Sequence, residues 1–164
     1  MLNKKIEGLL NKQMNAEFYN SHLYLAMAAW FESQNLPGFA HWMSKQAEEE
    51  RGHALRFYGQ LKDRRGAIAV AAVEAPPAGY RSPLAAIEAA FSHEAKVSEA
   101  INEMVSAATA EKDYTTVNFL QYFISEQVEE EAQTDAIVQQ LRMAGDSKGA
   151  LMQIDHHLGK RAAD

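Results

Sequence analysis

The chain has 164 residues, of which 47% are hydrophobic, so one folded domain spanning residues 1–164 is expected and wholesale disorder is excluded. The net charge of −6, from 16 basic and 22 acidic residues, argues against a protein that binds nucleic acid by neutralising phosphates. The absence of cysteine excludes disulfides, thiolate metal sites and thiol nucleophiles. The first ten residues are too charged for a signal peptide, and no stretch reaches about 18 apolar residues, so we expect a cytoplasmic protein without a membrane segment.

Helical periodicity covers four long segments and one short one, which are separated by turn residues. The first segment stops before the sequence Asn-Leu-Pro-Gly, and Pro37 suits the first turn of the second helix. Ser82 and Pro83 provide a cap and a first-turn proline for the third helix. Gly145 ends the fourth helix, and Ser147 offers a cap for the fifth. The predicted helices span about residues 3–33, 37–64, 82–110, 114–144 and 147–158.

The lengths of the connections predict how these helices are joined. Only a few residues separate helix one from helix two and helix three from helix four, so each pair forms an antiparallel hairpin. Residues 65–81 contain two glycines and two prolines and can extend to roughly 56 Å, enough to run the length of a long helix. We therefore predict an all-α fold, a four-helix bundle with one long crossover between helices two and three plus a short C-terminal fifth helix. The crossover is apolar at residues 68–73, and we expect another subunit to cover it.

The inward-facing seam of each long helix is apolar at both ends and polar in the middle. On helix three the predicted seam is Leu84, Ile87, Phe91, Glu94, Ser98, Ile101 and Val105. The polar residues near the midpoints of the four helices are Glu17, Glu50, His53, Glu94, Gln127 and Glu130. Because the midpoints of helices of similar length meet whichever way each helix runs, we expect these side chains to converge inside the bundle.

A single one of these residues would mean little. A lone glutamate on a helical stripe usually reaches water, and a lone histidine is usually a hydrogen-bonded core residue. Several buried carboxylates together would cost several kcal/mol per ion if unpaired, and no lysine or arginine lies on the seams. Glu50 and His53 form the Glu-x-x-His pair that builds two-metal carboxylate sites in helical bundles. The sequence therefore predicts a two-metal site, and its oxygen-rich ligands favour iron or manganese, although zinc also fits.

The predicted ligands divide into two unequal sets. The first ion is assigned to Glu17, Glu50 and His53, and the second to Glu50, Glu94 and Glu130. Glu49, Glu126 and Glu129 are candidate ligands for a third ion nearby. The second set lacks a histidine and should bind its ion more loosely, which suits a metal that passes through. Periodicity alone leaves the choice between Glu130 and Glu131 open, because Glu131 lies nearer the seam centre on an ideal helical wheel.

Three segments carry a family resemblance. They are LLNKQMNAEFYNSHLYLAMA on helix one, QAEEERGHALRFY on helix two and LQYFISEQVEEE on helix four. All three resemble the bacterial non-haem ferritins. The resemblance covers nearly the whole chain. It implies a homo-oligomer, a hollow cage of twenty-four subunits. It also implies a ferroxidase that takes ferrous iron and dioxygen as substrates and stores the ferric mineral inside the cage.

The resemblance also implies roles for individual residues. It places Glu130 at the second metal and Gln127 beside the centre, and it matches Tyr24 to a tyrosine that hydrogen-bonds to the site. The same resemblance puts Glu49, Glu126 and Glu129 around a third iron. Bacterioferritins instead have Glu-x-x-His on the fourth helix and a haem-ligating methionine after the helix-two glutamate. This chain has Gln127-x-x-Glu130 and Arg51 there, so we expect neither that symmetric centre nor haem.

Other classes fit less well. The DNA-protecting mini-ferritins build their site between subunits and lack the fifth helix. The main alternative is a catalytic di-iron enzyme of peroxidase or oxygenase type that stores no metal, although the lack of cysteine disfavours the rubrerythrin-like peroxidases. A purely structural helical assembly would bind no metal tightly.

Overall fold

The computed structural model describes residues 2–161, which form five α-helices and no strand. The helices are α1 (Lys4–Ser33), α2 (Pro37–Asp63), α3 (Pro83–Ala110), α4 (Tyr114–Ala144) and α5 (Lys148–Leu158). Helix α1 packs on α2 and α3 packs on α4, which confirms the predicted hairpins and the all-α bundle. In the described part of the chain, every helix is too short or too polar to cross a membrane. Met1 and residues 162–164, which the predicted domain includes, lie outside the described residues.

The interior of the bundle consists of two apolar clusters with a polar layer between them. One cluster includes Met27, Phe31, Phe39, Met43, Ile87 and Leu141. The other includes Leu10, Met14, Phe57, Leu61, Ile101 and Phe123. Apart from Thr116 near the start of α4, the buried polar residues of the four long helices lie near the boundary between the two clusters. They are Gln13, Glu17, Asn20, Gln46, Glu50, His53, Glu94, Gln127, Glu130 and Thr134.

The predicted seam of α3 is displaced by one residue at alternate positions, although Phe91 and Val105 still pack against the apolar clusters. Phe91, Ser98 and Val105 are only half-buried, whereas Ala90, Val97 and Met104 are buried. The centre of the buried stripe lies one residue earlier, because small residues such as Ala90 allow close packing while the size of Phe91 dominates a pattern based on hydrophobicity. Ile87, Glu94 and Ile101 belong to both seams, so the correction leaves Glu94 in the interior.

The crossover between α2 and α3 is attached to α1 by a ladder of hydrogen bonds. Glu7 bonds to Ala67, Asn11 to Ala67 and Ala69, and Asn15 to Ala69 and Ala71, at 2.8–3.0 Å. Four helical residues rise about 6 Å and two extended residues advance about 6.6 Å, so the two repeats match. The side chains of Val70 and Val73 are 69% and 37% exposed on this chain, and their cover by another subunit stays a prediction.

Helix α5 docks on the first turn of α2 through a very close backbone approach. Leu36, the N-cap residue of α2, makes no side-chain cap. Instead, the carboxylate of Asp155 on α5 accepts a hydrogen bond of 2.9 Å from the backbone N–H of Phe39. A Cβ atom on Gly38 would lie 1.6 Å from the carbonyl oxygen of Asp155. Only glycine therefore permits this contact.

Replacing Gly38 with alanine should lower the thermal midpoint of unfolding. The added methyl group forces α5 away from α2, and overpacking of this kind costs about 1–3 kcal/mol. Gly8→Ala is the matched control, because Gly8 is an exposed helical glycine with no atom within 4 Å of its Cβ position. That control should gain about 0.5–1 kcal/mol from helix propensity. Equal midpoints for the two variants, measured by circular dichroism, would contradict the docking role of Gly38.

Candidate metal centre

Glu17, Glu50 and His53 come together in the polar layer. One ligand atom from each residue lies within 4.8 Å of the others, and all three residues are buried. The spacing of Glu50 and His53 places both on one face of α2, where the Nδ1 atom of His53 lies 3.4 Å from Oε2 of Glu50. Glu17 faces them from α1. Within residues 2–161 this is the one set of three such side chains that gathers so closely.

Glu94 on α3 and Glu130 on α4 are the other buried glutamates of the layer, with exposures of 0% and 5%. The hydroxyl of Tyr24 donates a hydrogen bond to Glu94, and the Nε2 atom of Gln127 donates a second one of 3.1 Å. The Nε2 atom of Gln46 donates a hydrogen bond of 2.6 Å to Glu130. Each of the four long helices thus supplies one buried carboxylate, and the donors to Glu94 and Glu130 are neutral groups.

The four carboxyl groups have raised pKa values. Burial is the largest cause for each group. Repulsion from Glu94 adds to the increase for Glu50 and Glu130, and repulsion from Glu50 adds to that for Glu17. The pKa of Glu130 is raised to about 7. Without a cation beside them, these carboxyl groups therefore favour their protonated, neutral forms.

The donor set fits divalent cations. No lysine or arginine of the described chain forms an ion pair with Glu17, Glu50, Glu94 or Glu130. Buried carboxylates without a cationic partner are strongly disfavoured, and a bound cation removes that cost. Carboxylate oxygens with one imidazole nitrogen are ligands that iron, manganese and zinc accept. The set of Glu17, Glu50 and His53 can therefore hold such an ion between the helices.

The candidate ligands of a third ion lie at the edge of this layer. The Oε2 atom of Glu126 is 3.9 Å from Nε2 of His53. Glu129 is exposed, and both carboxylate oxygens of Glu49 contact Arg161, at 2.7 and 2.8 Å. The structure therefore places Glu126 beside the centre but does not gather Glu49, Glu126 and Glu129 around one point.

Glu130 and Glu131, between which periodicity left the choice open, differ in burial. Glu130 is buried in the polar layer, whereas Glu131 is half-buried and accepts a hydrogen bond from the hydroxyl of Ser98. The interior face of α4 is thus rotated from the ideal helical wheel towards Gln127 and Glu130, and the assignment of Glu130 to the second metal stays a prediction.

Comparison with known proteins decides the family. A family model described as a ferritin-like domain matches residues 7–144. The bacterial non-heme ferritin of Bacteroides fragilis (strain 638R) is 41% identical over 98% of this chain and 100% of its own length. That of Staphylococcus aureus (strain MRSA252) is 37% identical over 100% of this chain and 99% of its own. The chain belongs to the ferritin family.

Solved ferritin structures agree with this assignment. The open pore ferritin from the hyperthermophilic archaeon Archaeoglobus fulgidus superposes with a TM-score of 0.98 at 44% identity, covering 99% of this chain and 100% of that one. A closed form of the A. fulgidus ferritin, engineered by site-directed mutagenesis, gives a TM-score of 0.98 at 43% identity over the full length of both chains. The predicted family resemblance is confirmed.

In this ferritin, amide side chains hold the carboxylates, a role that the sequence patterns did not predict. Gln13 and Asn20 donate hydrogen bonds of 2.8 and 2.6 Å to Glu17. The Nε2 atom of His93 donates in turn to the amide oxygen of Asn20 at 2.7 Å, which fixes the orientation of that amide. Gln13 and Asn20 lie four residues before and three residues after Glu17, on the same face of α1, whereas His93 lies off the predicted seam of α3 and is marked by no sequence pattern.

Proposed function

We propose that this chain is the subunit of an iron-storage protein, a cage of twenty-four copies that oxidises ferrous iron with dioxygen inside each bundle and keeps the ferric mineral in its cavity. The observation that carries the proposal is the buried set of Glu17, Glu50 and His53, with two further carboxylates beside it. Membership of the ferritin family and the names of the non-heme ferritin relatives support iron as the metal and storage as the outcome.

In this proposal the ferrous ions are substrates. Glu17 and His53 hold the first ion, Glu94 and Glu130 hold the second, and Glu50 lies between the two sets. Each ion gives one electron to the same dioxygen molecule, and with two protons the products are two ferric ions and hydrogen peroxide. Delivery of both electrons to one dioxygen avoids the release of superoxide.

The groups around Glu94 favour release of the product. Glu94 and Glu130 provide no imidazole ligand, so the ion on their side is held more loosely than the ion beside His53. Tyr24 and Gln127 orient the carboxylate of Glu94 by hydrogen bonds. Burial raises the pKa of Tyr24 well above its usual value, so its hydroxyl stays protonated and remains a donor during turnover.

Iron loading in air, followed by size-exclusion chromatography and iron analysis across the peak, tests the function. We expect far more than about three iron atoms per chain in a cage-sized particle. The ligands in one bundle suffice for at most about three ions, so any iron above that number must be stored as mineral. Loading without oxygen is the control and should stop at the ligand-bound ions. A ratio of two or three in a small oligomer would contradict storage and favour the catalytic di-iron enzyme.

A further inference from the structure

Arg161 follows α5 and reaches the edge of the polar layer. Its Nη2 atom lies 2.8 and 2.7 Å from the two carboxylate oxygens of Glu49, and its Nη1 atom donates a hydrogen bond to Oε1 of Gln46. The side chains of Arg161 and Glu49 are 16% and 27% exposed. Since the pair is largely shielded from water, its attraction is less screened than that of an exposed ion pair.

Gln46 connects Arg161 to the metal centre. Its oxygen accepts from Arg161, while its Nε2 atom donates to Glu130 at 2.6 Å. An amide has one accepting end and one donating end, so Arg161 fixes which end faces Glu130. The charge of Arg161 also opposes the effect of burial on the pKa of Glu130. Arg161 thus acts on Glu49 directly and on Glu130 through Gln46.

Two further contacts hold Arg161 in place without involving a carboxylate. The Nε2 atom of His41 donates a hydrogen bond of 2.9 Å to the backbone carbonyl of Arg161. The guanidinium carbon lies 5.0 Å from the ring centroid of Trp42, within the range of a cation–π interaction. His41, Trp42, Gln46 and Glu49 all belong to α2. Because α2 fixes both the backbone and the guanidinium, the contact with Glu49 belongs to a formed binding site for Arg161.

We propose that Arg161 is a built-in competitor for the third iron ion, an inference that rests on the proposed function. An ion bound by Glu49 requires the same carboxylate oxygens that Nη2 of Arg161 contacts, so the guanidinium must leave before the ion binds. Glu17, Glu50 and His53 have no such competitor among the described residues. Ions therefore fill the centre first and the Glu49 position last, and an ion at Glu49 is readily released.

Calorimetric titration of the whole oligomer with zinc tests this competition without oxidation. The variants are Arg161→Gln, Arg161→Lys and the control Lys160→Gln, which removes the same charge from an exposed neighbouring residue. In the parent, the third zinc ion must break the charged hydrogen bonds between Arg161 and Glu49 before it binds. Arg161→Gln lacks these bonds, so the third zinc ion should bind to this variant on the order of tenfold more tightly. The affinity for the first ion, at Glu17, Glu50 and His53, should change less than about twofold. Arg161→Lys should lie between, and Lys160→Gln should match the parent.

Further measurements identify the ion and separate competition from a structural role. Adding Glu49→Gln to Arg161→Gln should cancel the gain in affinity. Third-ion affinity that is unchanged or weaker in Arg161→Gln overturns the proposal, whether or not the thermal midpoint falls, because Arg161 would then merely support α5 or hold Glu49. Failure of the parent to load iron would contradict the proposed function, yet the zinc comparison would still decide the role of Arg161.

Discussion

Glu50→Gln should abolish rapid iron oxidation and, at the same time, stabilise the metal-free chain. Glu50 belongs to the gathered set with Glu17 and His53, and it is also repelled by Glu94 and Glu130, so it is the carboxylate that both halves of the site share. A neutral amide is a poor ligand for a cation that prefers anionic oxygen ligands. We expect the initial rate of ferrous oxidation, followed by ferric absorbance, to fall on the order of 100-fold.

The gain in stability has the same physical origin. Burial and neighbouring carboxylates raise the pKa of Glu50 well above its usual value, so near neutral pH a cost is paid to keep this group in the folded interior. Glutamine has nearly the same shape and carries no charge. The free energy of unfolding of the metal-free chain should therefore increase, by roughly 1–3 kcal/mol. A variant that is more stable but inactive indicates that the site is built for cations and not for stability.

Glu48→Gln is the matched control for this experiment. Glu48 lies on α2 close to Glu50, but it is exposed and pairs with Lys45 at 2.8 Å. It should oxidise iron at the parental rate and gain no stability. His53→Ala should lose oxidation much as Glu50→Gln does, since it removes the imidazole of the set. Parental oxidation rates in Glu50→Gln or His53→Ala would show that the site is assigned to the wrong residues.

Features encoded locally could be predicted from the sequence. Pro37, the Ser82–Pro83 pair and Gly145 mark helix ends through their own backbone preferences, and the observed bounds follow them. The polar layer could also be predicted, because an interruption at the same depth in four apolar seams is a pattern that each helix carries by itself. Glu17, Glu50, Glu94 and Glu130 are all buried as that pattern requires.

Features that depend on contacts between distant segments could not be predicted. The rotation of α3 that buries Ala90 more deeply than Phe91 depends on how closely the neighbouring helices approach. Gly38 is adapted to the carbonyl of Asp155, and Arg161 reaches Glu49 across 112 positions of sequence. The sequence around Gly38 or Arg161 does not show which distant residue either of them contacts. These contacts set the docking of α5 and the electrostatics at the edge of the site.

Raising the pH from about 6.5 to 8 should destabilise the metal-free chain, and zinc should reverse the effect. The folded-state pKa of Glu130 is about 7, and those of Glu17 and Glu50 are raised well above the ordinary 4.5. A group with a raised folded-state pKa contributes stability that is fully present below its unfolded pKa and is lost as the pH rises through the folded one. In this window the folded chain therefore binds more protons than the unfolded chain, and the free energy of unfolding falls.

The pH range from about 6.5 to 8 avoids the titration of His93, which would change the free energy of unfolding in the opposite direction. Burial lowers the pKa of His93 to about 4, so the stability that depends on neutral His93 is lost only as the pH falls below the ordinary value of 6.5. Thermal midpoints should be recorded between about pH 6.5 and 8 with a chelator present, for the parent and for Glu130→Gln. Because Glu130 titrates near 7, the variant should show a shallower slope than the parent.

The same carboxylates destabilise the folded chain when it is metal-free and stabilise it when zinc is bound. Ions that bind only the folded chain raise its stability by about 2.7 kcal/mol per site when present at 100 times their dissociation constant. Zinc competes with protons for the carboxylates, so its stabilising effect should increase towards pH 8, where the metal-free chain is least stable. Two results would mean that Glu17, Glu50 and Glu130 do not form the cation site. One is a thermal midpoint that rises with pH when a chelator is present, and the other is a thermal midpoint that zinc leaves unchanged at pH 8.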